Sequence, residues 1–178
     1  MVSGFTHPES NIAHLHLHEG MNVADIGAGT GIYTVFAGKI VGASGRVYAV
    51  EVQKTLLSRI ATSVRDAGLD NVYVLWGDVE RLGGTKIPDH VVDAVIVSNI
   101  LFQTEHKKDL VAEVRRILSP RGKGMIIDWE DSFGGIGPSE DMVIEKREAV
   151  RLFADAGFDI GESFDAGTHH YGFIVEKR

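Results

Sequence analysis

Short runs dense in β-branched and aliphatic residues alternate along this chain with longer stretches whose apolar positions recur every three or four residues. The runs at 22–26, 46–51, 71–76, 92–98 and 122–128 have strand-like lengths and read as strands of a covered sheet. The stretches at 31–41, 54–67, 106–118 and 139–156 carry helical spacing. Within 106–118, Leu110, Val111, Val114, Ile117 and Leu118 share one side, with Lys107, Lys108, Glu113 and Arg116 elsewhere. Ser119-Pro120-Arg121-Gly122 ends that helix, because proline and glycine do not extend it. Two final strands near 159–165 and 170–176 flank the short turn Asp165-Ala166-Gly167-Thr168, so they are expected to be antiparallel neighbours. The whole pattern predicts an α/β fold in which helices cover both faces of a largely parallel sheet.

Composition narrows the function classes. A chain of 178 residues, 44% of them hydrophobic, suits one domain over 1–178 with a short N-terminal segment at 1–20. No apolar run approaches the roughly 20 residues of a membrane span, and no basic-then-apolar leader opens the sequence, so a cytoplasmic location is expected. Without cysteine there are no disulfides, thiolate metal sites or cysteine nucleophiles. A net charge of −7 argues against nucleic acid as a partner. The densest basic group, including Lys107, Lys108, Arg115 and Arg116, reads as the solvated side of a helix. His14, His16 and His18 invite a metal, and His14 and His18 would share a side of a first helix ended by Glu19-Gly20. No carboxylate or fourth ligand stands at motif spacing, so no metal is expected.

The first strand breaks into a glycine-rich turn, Asp25-Ile26-Gly27-Ala28-Gly29-Thr30-Gly31. Glycines here let the chain turn sharply and let a ligand approach the backbone, while the following helix points unpaired N–H groups at it. A dinucleotide fingerprint would place its last glycine at position 32, which is Ile32, so a nicotinamide enzyme is disfavoured. The later strand ends add ligand groups in order. Glu51, followed by Val52, can accept the hydroxyls of a ribose. Asp78, followed by Val79, can accept from an adenine amine, and Ser98 and Asn99 stand where the far end of such a ligand would lie.

A G-x-G-x-G turn preceded by Asp25, with these acidic strand ends, resembles the class I S-adenosylmethionine-dependent methyltransferases. The resemblance implies a three-layer Rossmann-like fold with a mostly parallel seven-stranded sheet and an antiparallel last strand. It implies S-adenosylmethionine as cofactor, held by Asp25, Gly27, Ala28, Gly29, Gly31, Glu51, Val52, Asp78, Val79, Ser98 and Asn99. The chain looks most like the small-molecule branch that includes ubiquinone/menaquinone-biosynthesis methyltransferases, so a small-molecule methyl acceptor is expected. A protein acceptor and a non-catalytic S-adenosylmethionine-binding partner subunit stay open. Asn99 is followed by Ile100-Leu101-Phe102 rather than by prolines, against nucleobase N-methylation, and the lack of cysteine sets arsenite methylation aside.

An acid/base pair would suit a protonated acceptor. Asp128 and His170 are expected to supply it from one pocket, with Tyr171 beside them and Trp129 and Phe102 as walls. Segment 129–140 reads as a lid, its glycines at 134, 135 and 137 flexing around Phe133 and Ile136. The alternative is an ordered loop with Ser139 capping the next helix. Residues from Phe5 to Leu17, or a second subunit of a homodimer, are the other candidates for covering the site.

Overall fold

The computed structural model describes residues 6–133, 135 and 137–178; Phe5, Gly134 and Ile136, named above as possible cover, lie outside them. The chain runs α1 (Pro8–Ala13), β1 (Asn22–Ile26), α2 (Ile32–Val41), β2 (Arg46–Glu51), α3 (Lys54–Asp66), β3 (Val72–Trp76) and β4 (Val92–Ser98). A 3-10 turn at Leu101–Gln103 precedes α4 (Lys107–Ile117), β5 (Leu118–Trp129), α5 (Lys146–Asp155), β6 (Phe158–Gly167) and β7 (His170–Lys177). The seven strands form one sheet in the order β3-β2-β1-β4-β5-β7-β6. The first five are parallel, and β7 runs antiparallel between β5 and β6. The order reverses between β1 and β4, and ligands of open α/β sheets bind at the carboxyl ends there.

Alternation along the central strands divides the core in two. Ala24, Ile26, Val95 and Val97 pack with Leu110, Val114 and Phe153 of α4 and α5. Val23, Ala94 and Ile96 face the other way, toward Ile12, Tyr33 and Val41 of α1 and α2. Both sides are sealed, which is why β1 and β4 are apolar throughout except at Asp25, Asp93 and their polar ends. Among the described residues, no helix is long and apolar enough to cross a membrane.

Three boundaries differ from expectation. The helix expected over 139–156 begins only at Lys146. Ile144 is buried, its carbonyl accepts from the Tyr171 hydroxyl at 3.1 Å, and Glu145 is extended with ψ 139, so tertiary anchoring takes this stretch out of the helix. Ser139 therefore caps no α-helix; its carbonyl accepts from the Met142 N–H in a single turn. Strand β5 starts at Leu118, directly after α4, and Lys177 donates to the carbonyls of Arg115 and Leu118 at that junction. The first helix ends at Ala13, and His16 takes a left-handed φ of 50°, so His14 and His18 do not share a helix side. His14 stacks on Phe164 and contacts Glu162 at 2.7 Å instead.

Candidate active site

The turn after β1 carries three left-handed glycines, Gly27, Gly29 and Gly31, with φ of 70°, 57° and 82°. A Cβ on Gly27 would also lie 2.5 Å from Ile100 Cδ1, so the end of the Ile100 side chain would have to shift to admit one. The Gly27 and Ala28 N–H groups donate to the Val50 carbonyl at 2.9 and 3.0 Å, tying the turn to the end of β2. Gly31 stands at the N-terminus of α2 and does not line the cavity described below; its part is to let the chain enter the helix.

Glu51 is the best-held polar group of the site. One carboxylate oxygen accepts from the Gly29 N–H at 3.0 Å, and the other accepts from Val52 and Gln53 at 2.9 Å each. Three donors fix the carboxylate and leave lone pairs for a ligand. Asp25 is buried and accepts from the Thr34 hydroxyl at 2.6 Å. Burial pushes its pKa up to about 6, with Thr34 working against the rise and Glu51 adding to it.

The Asp78 carboxylate accepts from the Glu80 N–H at 3.0 Å and meets Arg81 Nε at 3.0 Å. The loop behind it is pinned from α4. Glu113, 1% exposed, accepts from the N–H groups of Gly83 and Thr85, the Thr85 hydroxyl and the Arg116 guanidinium. Burial pushes Glu113 up, but Arg116, Thr85 and Gly83 outweigh it and bring the pKa down to about 2. At the end of β4, Asn99 adopts φ 55°, its N–H donates to Ile127 O, and its buried side-chain oxygen has no hydrogen-bond partner among the described residues.

These strand ends surround a cavity of about 470 Å³. Asp25, Gly27, Ala28 and Gly29 line it at β1, Glu51 and Val52 at β2, Asp78 and Val79 at β3, and Ser98 and Asn99 at β4. Thr6, Pro8, Tyr33, Gln103 and Thr104 also line it; Thr6 and Pro8 fall within the 5–17 segment expected as a possible cover, and the other three were not expected. Tyr33 was hidden in the apolar spacing of α2. Among the described residues, the charged side chains lining the cavity are Asp25, Glu51, Asp78 and Glu80, with no lysine, arginine or histidine.

The expected acid/base pair is not brought together. Asp128 stands opposite Tyr171 and Trp129 opposite His170 in the β5–β7 register, so Asp128 and His170 fall on opposite faces of the sheet. Asp128 is fully buried; its two oxygens accept from the Leu101 N–H at 2.8 Å and the Trp129 N–H at 2.9 Å, holding the 3-10 turn in place. His170 is 3% exposed, its Nδ1 lies 3.0 Å from Thr168 O, and its ring sits 4.2 Å from that of Trp129. Tyr171 is buried in the core, where its hydroxyl serves Ile144 and burial drives its pKa up. None of the three lines the cavity, nor do Trp129 and Phe102. The described part of the lid at 129–140 lies outside the cavity wall too; Phe133 stacks on His169, which contacts Asp131 at 2.6 Å.

Burial also pushes the pKa of Asp128 up to about 6, against the donors from Trp129, Leu101, Phe102 and Ile100. For Asp25 and Asp128 the folded state therefore holds a proton more tightly than the unfolded chain. Stability should rise as pH falls from above 6 toward 4, by up to about 3 kcal/mol for each group. Glu113 has the opposite sign, its contribution being present above 4.5 and lost as pH falls toward 2. Thermal melts of the unliganded protein are expected to peak near about pH 4, where the gain from Asp25 and Asp128 and the loss from Glu113 balance; a midpoint rising steadily from pH 4 to 8 contradicts the assignment.

The cavity fits S-adenosylmethionine in donor chemistry: a fixed carboxylate for a ribose, an unpartnered amide oxygen for an ammonium, and a glycine turn open to the ligand. Gly29 carries that last point, because a Cβ placed on it would meet nothing nearer than Gly27 O at 3.9 Å. The family described as a methyltransferase domain matches residues 23–122. The chain belongs to that family. This methyltransferase domain is 28% identical over 131 residues to the ubiquinone/menaquinone biosynthesis C-methyltransferase UbiE of Burkholderia cenocepacia, covering 74% of the chain and 52% of the relative. The chain thus spans about half the length of the curated relatives it matches. A solved S-adenosylmethionine-dependent methyltransferase from Aquifex aeolicus superposes with a TM-score of 0.88 at 28% identity, over 98% of this chain and 91% of that one. The [4+2]-cyclase SpnF shares the fold at a TM-score of 0.81 and 15% identity, over 96% of this chain and 79% of that one, so the methyltransferase fold alone does not name a reaction.

Proposed function

We propose that this chain transfers a methyl group from S-adenosylmethionine to an uncharged small molecule, with an electron-rich ring carbon as the first acceptor to test. The observation that carries the reading is the Glu51 carboxylate, fixed by the Gly29, Val52 and Gln53 N–H groups at the mouth of the glycine turn. Glu51 would hold the ribose, Asp78 and Val79 the adenine, and Asn99 with Ser98 the amino-acid end. When bound, the cofactor supplies an activated methyl on a sulfonium. Orientation of a nucleophile against that methyl is worth about 7–11 kcal/mol, so the chain's residues need mainly to position and to exclude water.

The charge of the lining among the described residues argues against an anionic acceptor. Four carboxylates and no cationic side chain disfavour an acceptor bearing phosphate or carboxylate groups. The carbon acceptor is supported by the UbiE relatives, whose names specify C-methylation. A carbon acceptor would take the methyl that the bound cofactor supplies and would pass its ring proton to solvent or to a lining carboxylate.

Calorimetric titration should give micromolar binding of S-adenosylmethionine and S-adenosylhomocysteine and none of NAD. Binding of NAD alone, or of none of the three, overturns the reading. A hydroquinone such as 1,4-naphthohydroquinone is the first acceptor to assay, with release of S-adenosylhomocysteine as the signal. Cofactor binding without release across neutral, cationic and anionic acceptors would favour a binding subunit.

A further inference from the structure

The N-terminal helix is attached to the cavity through one side chain. Asn11, 1% exposed, directs one N–H of its amide to the Tyr33 hydroxyl at 3.2 Å and the other to the Ala166 carbonyl at 2.9 Å. The reverse orientation of the amide would set oxygen against the Ala166 carbonyl oxygen, so this pairing defines which end donates. Ala166 belongs to β6, at the far edge of the sheet, and its carbonyl also accepts from the His7 N–H at 3.4 Å. Tyr33 belongs to the first turn of α2, lines the cavity, and has Ser98 as a further hydrogen-bonding neighbour. Thr6 and Pro8, just ahead of Asn11, line the same cavity. A short helix of six residues is thus clamped from both sides, with Ile12 and Leu15 buried beneath it.

We propose that Asn11 is a positioning residue: by joining Tyr33 to β6 it fixes Thr6 and Pro8 as a wall of the cavity and so retards release of bound S-adenosylmethionine. The inference rests on the cofactor reading above and adds to it a residue outside the glycine turn and the strand ends. Six residues cannot hold a helix in water by themselves, so the wall depends on its attachments. Asn11 supplies the side-chain polar attachment, beside the longer His7 N–H to Ala166 O, and Ile12 and Leu15 the apolar one. The Tyr33 hydroxyl, receiving a hydrogen bond from Asn11, keeps its own proton to give to Ser98 or to a ligand.

The test is the dissociation rate of S-adenosylmethionine, measured by stopped-flow displacement on the full chain for wild type, Asn11→Ala, Tyr33→Phe and the double variant. Tyr33→Phe keeps the ring and its packing, so it reports on the bond even if Asn11→Ala loosens the fold. Each single variant should release the ligand about tenfold faster, and the double variant no faster than the faster single, because both remove the same link. Ligand-induced protection of the backbone amides in 9–16 from hydrogen exchange should be lost in both. Dissociation within twofold of wild type in Tyr33→Phe, or fully additive effects, overturns the role of Asn11 while the cofactor reading stands. No binding of S-adenosylmethionine by the wild type overturns both.

Discussion

Glu51→Ala is expected to weaken S-adenosylmethionine binding by about 2–3 kcal/mol, roughly 30- to 150-fold, with the fold retained. The loss has two sources. A charged acceptor for the ribose hydroxyls disappears, and the N–H groups of Gly29, Val52 and Gln53 lose the carboxylate that orders them. Those three donors sit on two separate loops, so the glycine turn and the start of α3 lose their mutual register. Glu51→Gln keeps one oxygen but turns a donor toward at least one of the N–H groups, and its effect should be intermediate. Calorimetric titration of both variants, beside a thermal melt, is the check. Unchanged affinity in a folded Glu51→Ala protein would refute the placement of the ribose.

Glu113→Ala carries the largest expected loss of stability, about 3–5 kcal/mol, because it removes one partner of a buried ion pair and leaves the other. Arg116 is only 17% exposed, and it would keep Asp89 and the Ile87 carbonyl as partners but lose the carboxylate that accepts from both its Nε and its Nη2. The N–H groups of Gly83 and Thr85 would lose their acceptor as well. This side chain lies outside the cavity wall, yet it anchors the loop that follows Asp78. Urea unfolding should show a lower midpoint with an unchanged slope, and the folded variant should bind S-adenosylmethionine more weakly. A Glu113→Ala protein within 1 kcal/mol of wild type would contradict the role given to this pair.

The parts of the site that were legible in the sequence are those that local chain chemistry dictates. A turn needing left-handed backbone asks for glycine, so Gly27, Gly29 and Gly31 announce it. A parallel strand delivers its last residues to one edge, so Glu51, Asp78 and Asn99 could be read from where apolar runs stop. The parallel strands followed from the same alternation and the antiparallel pairing of β6 with β7 from the short turn between them, whereas the strand order came only with the structure. The failures all depend on a partner distant in sequence. Asp128 and His170 were set together by nearness to the same edge, but the pairing of Asp128 with Tyr171 puts the two side chains on opposite faces. Helix α5 starts late because Tyr171 captures the Ile144 carbonyl, an interaction across 27 residues that no helical spacing reveals. Tyr33 looked like one more apolar position of α2; its link to Asn11 spans 22 residues.

The acidic lining has a consequence for how turnover ends. Methyl donation converts a positively charged sulfonium into a neutral thioether, so on the proposed function the spent cofactor would no longer draw on the field of Asp25, Glu51, Asp78 and Glu80 that would help to retain its precursor. Each tenfold preference for the charged form corresponds to about 1.4 kcal/mol. On the proposed function these carboxylates, with Asp78 partly offset by Arg81, would bias the cavity against product inhibition, and added salt would weaken that bias.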